Sequence, residues 1–242
     1  MKIVFLGVGE AFDENLSNTS ILVESKTKLL LDCGYSAPQS VWKYNPEPDF
    51  LDVLYITHHH ADHVFGVPSL LIRFMVDKRK KDLTIIGPSG TEKYIKDILF
   101  LAYTKKPEDL PYKIQFIEVK QEKTIVLNEL KLSFALSIHP IECLAIKVES
   151  QGKSFCYSGD GMFSESSKRL FKNVDMVAHE AYLYEKIFEG HGNVVSLIEM
   201  AKECRIKKLA FLHIFRSERN VVKEKILPKN AIVPEPGDVF VL

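Results

Sequence analysis

The chain has 242 residues, of which 46% are hydrophobic and 26% are charged, as in an ordinary globular protein with a substantial core. Its 32 basic side chains balance 32 acidic ones, so no net charge draws the protein to nucleic acid or to an anionic membrane. No apolar run approaches the roughly 18 residues of a membrane span, and the N-terminal run is too short for a secretory signal. The four cysteines are widely spaced, which favours reduced core residues over disulfides or a zinc knuckle. We therefore expect a cytoplasmic protein.

The first half of the chain mixes strands and helices. Apolar segments bounded by turn residues predict strands at 2–6, 20–24, 28–31, 51–56 and 83–86. Apolar residues at helical spacing predict helices at 68–77 and 91–101. We interpret the basic run at 77–82 as a solvated helix end rather than a phosphate-binding patch. Gly7 and Gly9 follow a strand but lack the third glycine of a dinucleotide site.

The second half begins with strands and then alternates. The strands are predicted at 113–118, 130–137, 143–149, 154–157, 174–178, 208–212 and near Val239. The helices are predicted at 194–202 and 218–226. Strands interrupted by outer helices predict an α/β fold, with two sheets packed face to face and helices outside. We expect a single domain over residues 1–242.

Four of the eight histidines lie in one segment, Thr57-His-His-His-Ala-Asp-His63. So many imidazoles beside an aspartate are unfavourable without a purpose, because protonated neighbours repel and buried ones need partners. The segment follows a predicted buried strand, and loops at strand ends commonly carry ligands and catalytic groups. Neutral His and Asp are zinc ligands. The segment therefore predicts a metal site, with a histidine-rich surface loop as the alternative.

The pattern His-x-His-x-Asp-His resembles the defining motif of the metallo-β-lactamase superfamily. That resemblance implies an αβ/βα sandwich of two mixed sheets, with metals at the sheet edges. The family pattern continues with a His, an Asp and a final His at later strand ends. This chain has them in that order: His139 before Pro140, Asp160 between two glycines, and His213 after Ala-Phe-Leu.

The resemblance implies two divalent metal ions, which we expect to be zinc; the donors also suit manganese or iron. The expected ligands of one ion are His58, His60 and His139. The expected ligands of the other are Asp62, His63 and His213, and Asp160 would bridge the pair.

Two neighbouring residues are not assigned as ligands. His59 points the opposite way in an extended backbone, so we expect it to pack against the protein or support the site. Asp32 matches a family position near the site. It either orients a ligand histidine, as carboxylates commonly do, or is an ordinary turn residue.

Two further segments are similar to the ribonuclease Z branch of the superfamily. Val177-Ala-His-Glu-Ala-Tyr182 and Gly190-His-Gly192 stand where that branch has His-Glu-Ala-Thr and Gly-His-Ser-Thr. The similarity implies that Glu180 holds His191, which protonates the leaving oxygen. Glu180 and His191 are therefore predicted catalytic residues, and Asp62 of the metal motif is predicted as a third. A flexible surface position for His191 is the alternative, and we expect His179 to be structural.

The chain also departs from that branch. Gly192-Asn193 replaces Ser-Thr, and Gly161 replaces a threonine. Pro140 and Asp160 stand too close in sequence to enclose the branch's long tRNA-binding arm. We therefore predict a binuclear metal-dependent phosphodiesterase that uses metal-activated water. Its substrate would be a small or cyclic phosphodiester, or an RNA bound without the arm; no membrane partner is expected, and relatives are often homodimers.

Three other functions stay open at this point. Thr57-His-His-His and Tyr157-Ser-Gly-Asp-Gly-Met-Phe163 partly resemble glyoxalase II, a thioester hydrolase, although that family's downstream basic motifs are not evident. Another ester or lactone hydrolase belongs to the same alternative. A redox diiron role is less favoured, because those relatives use a Glu where this chain has His60. A non-catalytic metal-binding protein is the alternative from another class, and the complete ligand set argues against it.

Overall fold

The computed structural model describes residues 1–225 and 227–242. Within these ranges, two seven-stranded sheets pack face to face and helices cover their outer surfaces. This arrangement is the αβ/βα sandwich that the sequence predicts. Every helix in the described ranges is too short or too polar to span a lipid bilayer.

The first sheet is built mainly from the N-terminal half of the chain. In chain order its strands are β1 (Lys2–Gly7), β2 (Ser20–Glu24), β3 (Lys28–Leu31), β4 (Val53–Tyr55), β5 (Leu83–Gly87) and β6 (Ile114–Glu118). The second sheet contains β7 (Thr124–Leu127), β8 (Leu130–Leu136), β9 (Leu144–Ser150), β10 (Lys153–Tyr157), β11 (Met176–Glu180), β12 (Leu209–Leu212) and β13 (Ala231–Ile232). The chain then returns to the first sheet as β14 (Val239–Val241).

Both sheets are mixed. The spatial orders are β14-β1-β2-β3-β4-β5-β6 and β13-β12-β11-β10-β9-β8-β7. In the first sheet β3 to β6 run parallel, and in the second β10 to β13 run parallel. The carboxyl ends of each parallel set therefore share one edge, and loops at such edges carry the functional residues described below.

Helices fill the two outer layers. Those on the first sheet are α1 (Ala37–Tyr44), α2 (Ala61–Val64), α3 (Val67–Val76) and α4 (Thr91–Tyr103). Those on the second sheet are α5 (Glu165–Phe171), α6 (Val194–Glu203) and α7 (Arg219–Glu224). The predicted helix at 218–226 corresponds to α7, and its last predicted residue, Ile226, lies outside the described residues.

The alternation of side chains along β1 shows how one strand serves two cores. Ile3 and Phe5 pack into the apolar layer between the sheets, whereas Val4 and Leu6 pack against the helices of the first sheet. All four are buried. A strand that is apolar on both faces belongs inside a sandwich of this kind, because successive side chains point to opposite faces of the sheet.

Several sequence-based boundaries need correction. The predicted strand at 51–56 is ordered as a strand only over Val53–Tyr55, and β11 lies two residues later than predicted, so that Glu180 ends it. Short elements such as α1 and β7 escaped prediction because they bury few residues at regular spacing. The basic run at 77–82 is not wholly solvated, since the Arg79 guanidinium is buried and donates to the carbonyls of Leu51 and Asp82.

Candidate metal centre and active site

The predicted site residues come together at the edge where strands of both sheets end. The segment from His58 to His63 follows β4 of the first sheet. His139, Asp160 and His213 follow β8, β10 and β12 of the second sheet. Residues distant in sequence thus meet because parallel strands present their carboxyl ends at the same edge.

The first donor group contains His58, His60, His139 and Asp160. One ligand atom from each lies within 4.8 Å of all the others. His60 Nδ1 is 3.1 Å from His58 Nε2 and 3.2 Å from His139 Nε2. Nitrogens bound to a tetrahedral zinc at about 2.0–2.1 Å lie about 3.3 Å from one another. The spacing of the three histidines therefore suits a shared metal ion.

The second donor group contains Asp62, His63, Asp160 and His213, all of them buried. Asp62 Oδ2 lies 3.2 Å from His63 Nε2 and 3.1 Å from His213 Nε2. Asp160 Oδ1 lies 3.2 Å from the same His63 nitrogen. Asp160 belongs to both groups and stands between them.

Two buried atoms of this second group that lie 3.2 Å apart, His63 Nε2 and Asp160 Oδ1, lack hydrogen-bond partners among the described residues, and so does His213 Nδ1. Buried polar atoms without partners are rare and costly. His63 Nε2 and Asp160 Oδ1 point into the shared space between the donors, so a divalent cation bound there would supply the partner that each of them lacks. The donor chemistry and the geometry thus fit divalent metal ions.

Charge at the centre is divided between carboxylates and imidazoles. Burial raises the pKa of Asp160, but His213 and His63 outweigh that effect and bring the pKa to about 2. Burial and the neighbouring His63 lower the pKa of His58 well below its ordinary value. A carboxylate and a neutral imidazole are the forms that bind a metal.

Asp32 holds the imidazole of His63 in place. Its buried carboxylate accepts a hydrogen bond from His63 Nδ1 at 2.7 Å. It also accepts bonds from the Thr57 backbone N–H at 2.7 Å and from the Tyr157 hydroxyl at 3.0 Å. The structure therefore favours the orienting interpretation of Asp32 over that of an ordinary turn residue.

Glycines on both sides place Asp160. Gly159 has φ 62° and Gly161 has φ 111°, both in the left-handed region that side chains disfavour. A Cβ atom at Gly161 would lie 2.6 Å from the Ile138 carbonyl oxygen. The tight turn therefore requires glycine, and it directs Asp160 towards the two histidine groups.

Glu180 and His191 form a contact pair beside the donor cluster. His191 Nδ1 donates to Glu180 Oε1, and the Gly161 N–H donates to the other oxygen of this fully buried carboxylate. Burial raises the pKa of Glu180, but the hydrogen bond from His191 and the nearby imidazole of His213 bring it to about 2. Burial lowers the pKa of His191, and the bond to Glu180 more than reverses that effect.

The two remaining histidines of these motifs face away from the centre. His59 stacks on Tyr94, with ring centroids 4.7 Å apart, and bonds to the Thr91 hydroxyl at 2.8 Å. His179 is buried against Phe171 and donates to the Glu180 carbonyl at 2.8 Å. Both positions agree with the predicted packing roles.

A cavity of about 410 Å³ opens onto the donor cluster. Besides His60, Asp62, His139, Asp160, His191 and His213, its lining includes side chains that the sequence did not single out: Glu10, Phe12, Tyr35 and Tyr182. Tyr182 packs on His191 with ring centroids 4.7 Å apart. Tyr182 directly follows the His-Glu-Ala motif, and this position in the sequence could have identified it as a residue of the cavity.

A model of the family described as "Anti-Pycsar protein Apyc1" matches residues 1–225. The chain belongs to this family. Curated relatives include a ribonuclease Z of Prochlorococcus marinus, which is 25% identical over 99% of this chain and 95% of its own. A ribonuclease Z of Listeria monocytogenes is 27% identical over 96% of this chain and 94% of its own.

Solved structures show the same fold. The short form of human tRNase Z superimposes with a TM-score of 0.82 and 22% identity, over 100% of this chain and 99% of its own. The metallo-β-lactamase fold protein YhfI of Bacillus subtilis has a TM-score of 0.80 and 22% identity, over 99% and 98% of the two chains. A diphosphatase of the PhnP family has a TM-score of 0.81, with 17% identity over 100% and 97%. The predicted metallo-β-lactamase fold and the resemblance to the ribonuclease Z branch are confirmed.

Proposed function

We propose that this protein is a metal-dependent phosphodiesterase that acts on a small or cyclic phosphodiester. The observation that carries the proposal is the Glu180–His191 pair on the wall of the cavity that contains the donor cluster. A carboxylate-held imidazole beside metal ligands places a proton donor next to the position where a phosphoryl group would bind. The relatives named ribonuclease Z support the same class of reaction.

Seven side chains would hold two divalent ions, with zinc as the proposed metal: His58, His60, Asp62, His63, His139, Asp160 and His213. When bound, such ions polarise the phosphoryl group and activate water. The protein's own contribution is to orient these ligands. Asp32 fixes the ring of His63, and the Gly190 carbonyl accepts from His139 Nδ1 at 3.2 Å. These bonds leave the Nε2 atoms free for the metal.

His191 would supply the proton to the departing alkoxide. Because its Nδ1 is engaged by Glu180, its Nε2 is the nitrogen left to face the cavity. The negative charge of Glu180 stabilises the protonated ring, which is the form that can donate. Asp62 would act as a ligand whose carboxylate also faces the cavity.

The dimensions of the site favour a small substrate. A volume of about 410 Å³ lies within the range of pockets that hold small molecules and cofactors. The interval between Pro140 and Asp160 contains only β9, β10 and short connections, with no protruding arm among the described residues. The balanced charge likewise gives no general attraction to RNA.

The test uses two model substrates on metal-reconstituted protein. Bis(p-nitrophenyl) phosphate should be hydrolysed, and a glutathione thioester should not. Asp160→Ala should abolish diester turnover, whereas the control Asp175→Asn, which alters a carboxylate remote from the cavity and bonded to Ser154, should leave it intact. Turnover of the thioester alone would transfer the assignment to a glyoxalase-like enzyme.

Three further features are proposed: a cytoplasmic location, a single domain and a homodimer. The four cysteines are free and buried, which suits a reducing compartment such as the cytoplasm. We also propose a single domain over residues 1–242, since the layer between the two sheets is one apolar cluster. A homodimer is proposed because related proteins are often homodimers, and light scattering of the purified protein would test it.

A further inference from the structure

A short loop stands at the mouth of the cavity. It comprises residues 10–16, which we call the mouth loop, and it closes where the Gly9 N–H donates to the Ser17 carbonyl at 2.9 Å. Phe12 lies in this loop with 75% of its surface exposed, yet it also lines the cavity. A large apolar ring held at the entrance of a cavity is available to contact whatever enters.

The mouth loop is held by an ion pair between the buried carboxylate of Glu10 and the partly exposed guanidinium of Arg216. Glu10 is 1% exposed, and its Oε1 accepts a bond from Arg216 Nη1 at 2.6 Å. Its other oxygen accepts from the Phe12 backbone N–H at 2.8 Å. One carboxylate therefore joins Arg216 to the backbone that carries Phe12. Without the guanidinium, Glu10 would be a buried charge without its counter-ion, a costly state that would loosen this arrangement.

A second contact holds the neighbouring residue. The Tyr35 hydroxyl donates to the Ala11 carbonyl, and the Tyr35 ring also lines the cavity. Together with Phe12 and Tyr182, it gives the cavity three aromatic side chains close to the metal-ligating groups. Aromatic faces of this kind bind flat rings by stacking, with little dependence on which ring is offered.

Charge in this region is already balanced. The carboxylate of Glu10 is neutralised by Arg216, so it does not repel an anionic phosphodiester. Arg216 also lies over the Phe215 ring, 4.8 Å from its centroid, and is therefore occupied on one face. These contacts give Arg216 a role in holding the loop.

We propose that Phe12 stacks on a flat aromatic group of the substrate, such as a nucleobase, and that Arg216 is a positioning residue that acts through Glu10. The proposal rests on the phosphodiesterase function proposed above and extends it to the part of the substrate remote from the phosphorus. Phe12 determines affinity for substrates with such a group, and Arg216 determines how well Phe12 is placed.

The first experiment compares adenosine 3′,5′-cyclic phosphate with its base-free ribose 3′,5′-cyclic phosphate analogue. In Phe12→Ala, KM for the nucleotide should rise about tenfold or more, as expected for loss of one stacked base, while KM for the base-free analogue changes by less than about twofold. The matched control is Phe100→Ala, which removes a 49% exposed phenylalanine on α4, away from this cavity. It should leave both KM values unchanged.

The second experiment tests Arg216. Arg216→Ala should raise KM for the nucleotide with a smaller change in kcat and with the metal content unaltered, and Arg216→Lys should restore part of the affinity. Arg169→Ala, which removes an exposed arginine 3.9 Å from Glu122, is the control. A KM effect rescued by lysine distinguishes positioning from a general loss of structure.

The outcomes separate this inference from the proposed function. Wild-type protein that hydrolyses both cyclic phosphates, with Phe12→Ala raising both KM values equally or neither, would overturn the stacking role and leave the phosphodiesterase standing. A change of oligomeric mass in Phe12→Ala without a change in KM would show that Phe12 serves an interface, and would also overturn it. Wild-type protein inactive on every phosphodiester would remove both proposals.

Discussion

Asp32 Oδ2 accepts a hydrogen bond from Nδ1 of His63 at 2.7 Å, and both side chains are fully buried. The bond sets the tautomer of the imidazole and directs Nε2 towards Asp62 and Asp160. A buried carboxylate in this position also increases the basicity of the ligand. The residue is thus tied to the metal centre without contacting the space where an ion would lie.

Asp32→Asn should weaken metal binding by about 10- to 100-fold, the usual cost of losing a carboxylate that orients a ligand. The amide can accept from only one oxygen, and its NH₂ group faces donors such as the Thr57 N–H. Competition with a chromophoric chelator measures the affinity. Asp175→Asn serves as the control, and equal affinities of the two variants would contradict the orienting role.

Asp160→Ala should remove both metal ions, because this carboxylate is shared by the two donor groups. The measurement is metal content per chain by elemental analysis after dialysis. His139→Ala should have a smaller effect, since His139 belongs to one group. Retention of two ions in the Asp160 variant would remove this residue from the bridging position.

His191→Ala should keep the metals and slow turnover by about 100-fold or more, the range expected when a general acid is lost. The loss should be large for an alkyl leaving group and small for p-nitrophenolate, which departs without protonation. Paired kcat measurements on the two classes of diester test this dependence. Equal losses on both would point to a structural role for the ring.

The pH profile should report the same pair. Glu180, with a pKa of about 2, is ionised throughout the working range and raises the pKa of His191. Activity that requires protonated His191 is present below this raised pKa and is lost as pH rises through it. Glu180→Gln removes the charge, so the alkaline limb should move to lower pH in plots of kcat against pH. An unmoved limb would mean that another group sets it.

Gly161→Ala should destabilise the protein more than Gly152→Ala. Both glycines have positive φ, and a left-handed conformation costs a side chain about 1–2 kcal/mol. A Cβ at Gly152 meets nothing within 4 Å, whereas at Gly161 it meets the Ile138 carbonyl oxygen. Chemical denaturation of the two variants separates conformational strain from collision, and equal losses would show that the turn relaxes freely.

The sandwich and the residues that the structure brings together could be predicted from the sequence. The prediction rests on a motif of closely spaced donors and on three residues at strand ends, and their recognition does not depend on the exact boundaries of strands and helices. The role of Asp32 stayed open in the sequence, since its partner His63 lies on a different element and only tertiary packing joins them. The ligand roles and the single domain stay predictions until metal is measured and the domain tested.

The mouth loop was missed for a different reason. Phe12, Tyr35 and Tyr182 lie in irregular segments, where no periodicity distinguishes a cavity-lining aromatic from any other surface residue. The Glu10–Arg216 pair joins the first turn after β1 to the turn after β12, and such a distant pairing leaves no local pattern. Motifs reveal where chemistry occurs more readily than they reveal what surrounds it.

The donors of the metal centre come from both halves of the sandwich. The segment from His58 to His63 belongs to the sheet built mainly from the N-terminal half, and His139, Asp160 and His213 belong to the other sheet. Ions bound between them would cross-link the two layers at this edge. The free energy of metal binding would then add to the free energy of unfolding of the whole molecule. Removal of the ions by a chelator would therefore loosen the sandwich first at the edge that carries the site. Proteases would then cleave this edge before the apolar layer between the sheets unfolds.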